Sequence, residues 1–175
     1  MIDSDLQKTI KFIKDRHKIF LEKKIKELGI RNYKVSIARC YTFIGKNITR
    51  YNYAISDLIN DANNLTRIKL NSKINVYRSY MHSDDLANWL IKIVKNSNTK
   101  CPIYNVGSNK VINLKNLAKK IGLIANKKIS VKTNKSKKFD YYVPSITKAY
   151  KKLNLKISIN LNDALNSIIK SNDKN

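Results

Sequence analysis

The chain has 175 residues, 42% of them hydrophobic, and its 36 basic against 12 acidic residues give a formal net charge of +24. This length suits one domain, and the hydrophobic fraction can fill a core, which excludes a wholly disordered chain. No apolar run reaches the roughly 18 residues of a membrane span, and Met1–Asp5 carry two acids instead of a basic signal start. We therefore expect a cytoplasmic protein without a membrane segment.

Cysteine and histidine spacing argues against metal and disulfide sites. Cys40 and Cys101 lie in separate apolar runs without a CxxC spacing, and His17 and His82 are the only histidines. The chain also has no HExxH, GxGxxG or GxxxxGK[ST] pattern. We predict no metal site, and we expect both thiols to be buried and unreactive.

The positive charge favours phosphate-rich partners, because cations gain free energy when they release counterions from a polyanion. Lysine accounts for 30 of the basic residues and arginine for only 6, and Lys, Asn and Ile together fill 78 of the 175 positions. This chain-wide bias is typical of an A/T-rich coding sequence, and scarce arginine argues against phosphate and base recognition. Nucleic acid is therefore an unlikely partner. The alternative function is a basic nucleic-acid-associated protein with a contact patch at Lys127, Lys128, Lys132, Lys135, Lys137 and Lys138.

Hydrophobic periodicity predicts an α/β chain in which helices alternate with single strands. The predicted helices cover Asp5–Leu28 with Gly29 as a stop, Tyr53–Leu65, Ser83 to about Val94 with Asp84 and Asp85 at its start, Leu114–Ile121 between an Asn113 cap and a Gly122 stop, a segment after Ser145, and Leu161–Ile169. The predicted extended segments are Tyr33–Tyr41 with an end at Gly45, Ile74–Met81, Pro102–Gly107 and a lysine-rich strand near Ile129–Val131.

Four short motifs, in order, are the main functional signal. They are Ala38–Gly45 (ARCYTFIG), Tyr77–Tyr80 (YRSY), Asp84–Ala87 (DDLA) and Tyr104–Ser108 (YNVGS). From about Lys18 to Ile169 the chain resembles the C-terminal half of the extended short-chain dehydrogenase/reductases, the NAD-dependent sugar-nucleotide epimerases and dehydratases. Within that family it looks most similar to dTDP-glucose 4,6-dehydratase-like members.

The resemblance implies part of a Rossmann-type parallel sheet plus a small helical substrate-binding domain, without the dinucleotide-binding N-terminal half. Residues 1–175 would form a single C-terminal epimerase/dehydratase-like region. Within it, 1–45 would be a remnant of the Rossmann core and 46–175 mainly the substrate-binding part.

The resemblance also implies a nucleotide-diphosphate sugar as the substrate and names residues for it. Arg78 takes the position of the arginine that grips the diphosphate, and its planar fork suits two phosphate oxygens. Thr42, Tyr53 and Asn105 are the other candidates for the substrate pocket. At Thr42 the chain departs from the family, which carries an asparagine there.

The catalytic and cofactor part of the resemblance is incomplete. The family uses Tyr-x-x-x-Lys followed four residues later by Glu; Lys18 and Glu22 match, but Lys14 stands where tyrosine is needed. That tyrosine removes a hydroxyl proton as hydride leaves for the nicotinamide, and lysine is no assured substitute. The glycine-rich dinucleotide loop and the dehydratase acids also do not occur in this chain.

These departures predict a truncated or split form of the enzyme that binds sugar nucleotide without full catalysis. Lys18 is the single catalytic candidate, and Lys18 with Tyr41 are the cofactor-binding candidates. NAD is implied by the family, but its binding by this chain alone is doubtful. A separately encoded Rossmann half is a candidate partner.

Other polar residues of the motifs have simpler structural interpretations. We expect Arg39 to be an ion-paired structural residue, Asp84 and Asp85 to cap a helix, and His82 to serve packing.

Overall fold

The computed structural model describes residues 4–46, 53–72, 74–133 and 138–170, with side chains for 16–46, 53–72, 74–132 and 138–169. Within these residues the helices are α1 (Ser4–Ile30), α2 (Ala54–Asn64), α3 (Ser83–Lys95), α4 (Leu114–Ile124), α5 (Thr147–Leu153) and α6 (Leu161–Lys170). The strands are β1 (Ile37–Cys40), β2 (Phe43–Ile44), β3 (Arg67–Ser72), β4 (Asn75–Arg78), β5 (Met81–His82), β6 (Ile103–Val106), β7 (Ile112–Asn113), β8 (Lys128–Thr133) and β9 (Phe139–Tyr142). The α/β class predicted from periodicity is confirmed.

The strands pair mostly in parallel. β1 lies beside β6 with Ile37 opposite Ile103, β2 beside β5, and β3 beside β8 with Arg67 opposite Lys128. β4 pairs with β9 in parallel and with β7 in antiparallel orientation. Parallel neighbours need long crossover connections, and the helices between these strands supply them.

The buried apolar side chains form two hydrophobic cores between the helices and strands. In the larger core, α2, α4 and α6 pack against the inner side of β3, with Leu58, Ile68, Leu117 and Leu165 at most 1% exposed. The smaller core collects α3, α5 and β6 around Trp89, together with Met81 and Val106. The chain passes from one core to the other several times.

Gly29 and Gly122 lie inside helices, so the prediction that they stop α1 and α4 is wrong. A Cβ at Gly29 would overlap the carbonyl oxygen of Thr99, and one at Gly122 would lie 2.7 Å from Ile129 Cγ1. Both glycines therefore allow close packing of a helix. The left-handed turn after each helix falls instead on Asn32 (φ 67°) and Asn126 (φ 50°), which asparagine tolerates well.

The start of α3 also differs from the prediction. His82 is the N-cap residue, and its Nδ1 accepts a hydrogen bond from the Asp84 backbone N–H at 3.2 Å. The Asp84 side chain is exposed, whereas Asp85 is buried. The expectation that the two aspartates cap α3 is therefore wrong, because the imidazole of His82 accepts the Asp84 N–H. The His82 side chain is 12% exposed, so it packs as expected and also caps the helix.

Asp85 and Trp89 fasten the segment that joins α5 to α6, residues 154–160, which we call the 154–160 linker. Asp85 accepts hydrogen bonds from the backbone N–H groups of Ser158 (3.1 Å) and Ile159 (3.0 Å) and a further one from the Ser158 hydroxyl. One turn later, the Trp89 indole N–H donates to the carbonyl oxygen of Lys156 at 3.1 Å. The linker is thereby held to one face of α3.

Candidate functional site

Arg78 ends strand β4 and is held in a defined orientation by β9. Its Nη2 lies 2.5 Å from Asp140 Oδ2, and its Nη1 donates to the carbonyl oxygens of Tyr77 (2.9 Å) and Asp140 (3.3 Å). The guanidinium carbon also lies 5.8 Å from the centre of the Tyr142 ring. The planar fork of donors in a guanidinium matches both carboxylate and phosphate oxygens.

Tyr142 connects Arg78 to the end of β1. Its ring stacks on that of Tyr41, with 4.7 Å between the centroids and 30° between the planes. Because Tyr41 directly follows β1 and Arg78 ends β4, the stacked pair brings the predicted cofactor-side and substrate-side residues together. We call Arg78, Asp140, Tyr142 and Tyr41 the Arg78 cluster.

Asn105 and the chain after β6 lie on the adjoining side of Tyr41. The Asn105 side-chain amide donates to the carbonyl oxygen of Ser145 at 3.0 Å. A Cβ at Gly107 would lie 2.9 Å from Pro144 Cγ and 3.1 Å from Tyr41 Cβ, so only glycine lets these segments meet. The structure therefore positions Asn105 beside the Arg78 cluster through the 144–145 segment.

Thr42 and Ser79 bring two buried hydroxyl groups next to the cluster. Their chain segments are joined by the Met81 backbone N–H, which donates to the Thr42 carbonyl oxygen at 3.1 Å. Within the described residues, neither Thr42 Oγ1 nor Ser79 Oγ has a hydrogen-bond partner. Buried hydroxyls are usually satisfied, so these two atoms are exceptions within the described core.

Lys18 lies outside this cluster. It is exposed on α1, and the side chain of Lys14 lies outside the described part. Glu22, one turn after Lys18, accepts two hydrogen bonds of 2.7 Å from Arg39 Nε and Nη2. This contact confirms the expectation that Arg39 is an ion-paired structural residue, and the guanidinium lowers the pKa of the Glu22 carboxyl.

Two tyrosines near the motifs have separate positions. Tyr53 precedes α2 as its N-cap residue and is partly exposed, and residues 47–52 before it lie outside the described part. Tyr80 is buried, and loss of hydration raises the pKa of its phenol to about 12. Burial therefore shifts the Tyr80 phenol in the opposite direction from the lowered pKa that a proton-abstracting tyrosine needs.

Sequence reasoning missed Asp140, Tyr142 and Ser145, which hold Arg78, Tyr41 and Asn105 in place. These residues follow a lysine-rich segment, and their local pattern resembles ordinary loop and strand composition. The available signal was the Asp-Tyr-Tyr-Val-Pro-Ser stretch itself, an acid and two aromatics immediately before a proline.

The cysteines differ from the expectation at one position. Cys101 is buried as predicted, but Cys40 is exposed because β1 has a neighbour on one side only within the described residues. Desolvation raises the pKa of both thiols, so accessibility should separate their reaction rates.

We expect brief iodoacetamide treatment of the native protein to add a single label, at Cys40. Intact-mass and peptide mass spectrometry measure this directly. Cys40→Ser should abolish the fast reaction, whereas two labels added at equal rates would contradict the burial of Cys101.

The described residues contain no group of three or more His, Cys, Asp or Glu side chains placed to hold a metal ion. A search of the same part of the chain for a helix long and apolar enough to cross a membrane finds none.

Comparison with known proteins identifies the family. Residues 15–107 match the model of the NAD dependent epimerase/dehydratase family. RMD from Pseudomonas aeruginosa complexed with NADPH aligns with a TM-score of 0.74 and 17% identity over 87% of this chain and 52% of that chain. UDP-glucose 4-epimerase with UDP-glucose from Thermotoga maritima aligns with a TM-score of 0.72 and 17% identity. The alignment covers 89% of this chain and 50% of that chain. The dTDP-glucose 4,6-dehydratase from Bacillus anthracis in complex with NAD aligns with a TM-score of 0.65 and 16% identity. The alignment covers 81% of this chain and 45% of that chain.

No curated protein gives a significant match. The chain spans about half the length of the three solved structures, and at these identities the likeness establishes the Rossmann-like α/β fold. The family model covers more than half of the 175 residues, from within α1 to the end of β6. It contains the Lys18–Glu22 pair, the β1 motif, Arg78 and Asn105, and on that evidence the chain belongs to the NAD-dependent epimerase/dehydratase family.

Proposed function

We propose that this chain binds a nucleotide-diphosphate sugar through the Arg78 cluster and is the substrate-binding part of an enzyme similar to dTDP-glucose 4,6-dehydratase. The observation that carries the proposal is the orientation of Arg78, whose guanidinium is fixed by two carbonyl oxygens and one carboxylate beside an aromatic pair. A diphosphate can take the place of the Asp140 carboxylate, because both are oxyanions suited to the same fork of donors.

The substrate class agrees with what the solved relatives bind. UDP-glucose accompanies the Thermotoga maritima epimerase, and MoeE5 aligns with a TM-score of 0.66 in its complex with UDP-glucose and NAD. In this chain, Asn105, Thr42 and Tyr53 are proposed to complete the pocket around the sugar and nucleoside. The proposal keeps 1–175 as a single C-terminal epimerase/dehydratase-like region, with 1–45 as part of the Rossmann core, in a cytoplasmic protein.

NAD is the cofactor of the family, but the described residues do not fit it on their own. Its pyrophosphate needs a glycine-rich loop at the start of a helix, and the chain contains no such motif. Of the two cofactor candidates, Lys18 is exposed on α1, and the ring of Tyr41 stacks on that of Tyr142. We therefore propose sugar-nucleotide binding without full catalysis for this chain by itself.

Exposed apolar residues of α1 support a partner that supplies the dinucleotide-binding half. Ile19, Phe20, Leu21 and Leu28 on α1 all have at least 40% of their surface exposed, and β1 and β6 pair only with each other within the described residues. Parallel strands are normally buried inside larger sheets. A Rossmann half docked here would extend the sheet at β1 and cover α1.

The test of substrate binding uses two variants with opposite expected effects. Isothermal titration with UDP-glucose and dTDP-glucose should show modest affinity for the unmodified protein. Arg78→Ala should lower the affinity about tenfold or more, because a charged hydrogen-bond donor to the diphosphate is lost. Asp140→Asn should raise it, because the carboxylate no longer competes for the guanidinium.

The matched control is Lys95→Ala, which removes an exposed positive charge from the last turn of α3. It should change the affinity by less than about twofold, as expected for a screened surface charge. Circular dichroism of each variant checks the fold. An Arg78→Ala protein that binds as tightly as the unmodified one would contradict the proposed function.

A further inference from the structure

The outer side of the β3–β8 strand pair is basic on both strands. Along β3, Ile68 and Leu70 are buried in the larger core, and Arg67 and Lys69 alternate with them on the exposed side. Along β8, Ile129 and Val131 pack against the same core, and Lys128 and Lys132 are exposed. The period of two in a strand places these four cations on one outer face.

The side chains of these four cations form no ion pair within the part of the chain that the structure describes. The carboxylate oxygen Asp61 Oδ2 accepts the backbone N–H of Lys69 at 2.9 Å, which is a contact with the main chain and not with the ammonium group. Arg67 lies directly opposite Lys128 in the strand register, and like charges in this position repel. A polyanion on this face would relieve that repulsion.

An aromatic patch lies on the outer side of β4 and β9, the strands that follow β3 and β8 along the chain. Val76 of β4 packs against the same core as Ile68 and Leu70, so its neighbour Tyr77 faces the outer side. The register pairs Tyr77 with Tyr141 of β9, and their ring centroids are 6.2 Å apart. Phe139 is 69% exposed and Tyr141 55% exposed. Exposed aromatics on a sheet cost free energy unless a ligand covers them.

We propose that this outer face, formed by Arg67, Lys69, Lys128 and Lys132 with Phe139 and Tyr141, binds single-stranded nucleic acid. The cations of one parallel strand pair precede the exposed aromatic rings of the next pair along the chain. This combination matches the chemistry of an unpaired strand, whose phosphates are anionic and whose bases are free to stack. A duplex keeps its bases inside its own stack, so the aromatics favour a single strand. This site is separate from the Arg78 cluster and does not depend on sugar-nucleotide binding.

The proposed face differs from the lysine patch at 127–138 expected from the sequence, because half of its cations lie on β3. Among the residues of that earlier patch, Lys128 and Lys132 lie on the outer face. Lys135 and Lys137 lie outside the described residues. Arg67 and Lys69, more than 50 positions earlier in the chain, supply the other half of the surface.

The test is fluorescence anisotropy of a short labelled oligothymidylate and oligouridylate with the full chain at several salt concentrations. Replacing all four cations by glutamine should reduce the slope of log K against log salt by about 3, since each lost phosphate contact of a single strand removes about 0.7. Phe139→Ala with Tyr141→Ala should weaken binding roughly tenfold, through lost base stacking. The salt slope of that aromatic variant should not change.

The matched control is Lys92→Gln with Lys95→Gln, which removes two exposed charges from α3. This variant should reduce the salt slope by less than about 0.5, far below the change of about 3 expected for the four-cation variant. An unchanged slope in the four-cation variant would overturn the proposal, as would full affinity in the aromatic variant. Vesicles containing phosphatidylserine provide a further test. If they bound as tightly as the oligonucleotides and lost binding in both the four-cation and the aromatic variants, the face would be a membrane-binding surface and the proposal would be overturned.

Discussion

Trp89→Ala should lower the free energy of unfolding by about 3–5 kcal/mol, the usual cost of removing a fully buried tryptophan from a core. Trp89 is 1% exposed at the centre of the smaller core, and its indole N–H also holds the carbonyl oxygen of Lys156. Folded proteins of this size are stable by only about 5–15 kcal/mol, so a large part of the stability depends on this residue. Trp89 is the only tryptophan, so the variant has no tryptophan fluorescence. Its urea unfolding should therefore be followed by far-ultraviolet circular dichroism.

Trp89→Phe separates packing from hydrogen bonding at this position. Phenylalanine keeps most of the buried ring but cannot donate to Lys156, so the expected loss is about 1–2 kcal/mol. If Trp89→Ala lowered the free energy of unfolding by less than about 1 kcal/mol, this would contradict a core built around the Trp89 side chain.

Asp85→Ala should lower the free energy of unfolding by about 2–4 kcal/mol, because it leaves donors of the 154–160 linker without their charged acceptor. Asp85 is 3% exposed and accepts hydrogen bonds from the Ser158 and Ile159 backbone. The neighbouring carboxylate provides the control: Asp84 is exposed, and Asp84→Ala should cost no more than about 0.5 kcal/mol. Chemical unfolding of both variants in parallel measures the difference, and equal effects would refute the role of Asp85.

The order of the helices and of β1, β4, β6 and β8 follows from the sequence, mainly because apolar residues recur along these segments. α3 is an example, since Trp89 and Ile93 recur at the helical period and both are buried. β3 was missed because Arg67, Lys69 and Asn71 give it a polar outer side, and its buried residues are only Ile68 and Leu70. β2, β5 and β7, with two residues each, are too short for any period to appear.

The candidate site was predictable only in part. The resemblance pointed to Arg78, Tyr41 and Asn105, and the structure brings their chain segments together through β9 and residues 144–145. The partners Asp140 and Tyr142 were not predictable, because their contacts depend on pairing between β4 and β9, which lie about 60 residues apart. Sequence spacing shows which residues share an element, whereas a site assembled across strands depends on register.

The 154–160 linker has a consequence for how the molecule loses its structure. α6 completes the larger core through Leu165 and Ile168, while the linker that leads into it is fastened to α3, which belongs to the smaller core. If α3 melts, the linker loses its anchor and α6 gains the freedom to leave the other core; if α6 detaches, the linker no longer covers Asp85 and Trp89. Neither core is then an independent foldon, and the two should melt as one cooperative unit.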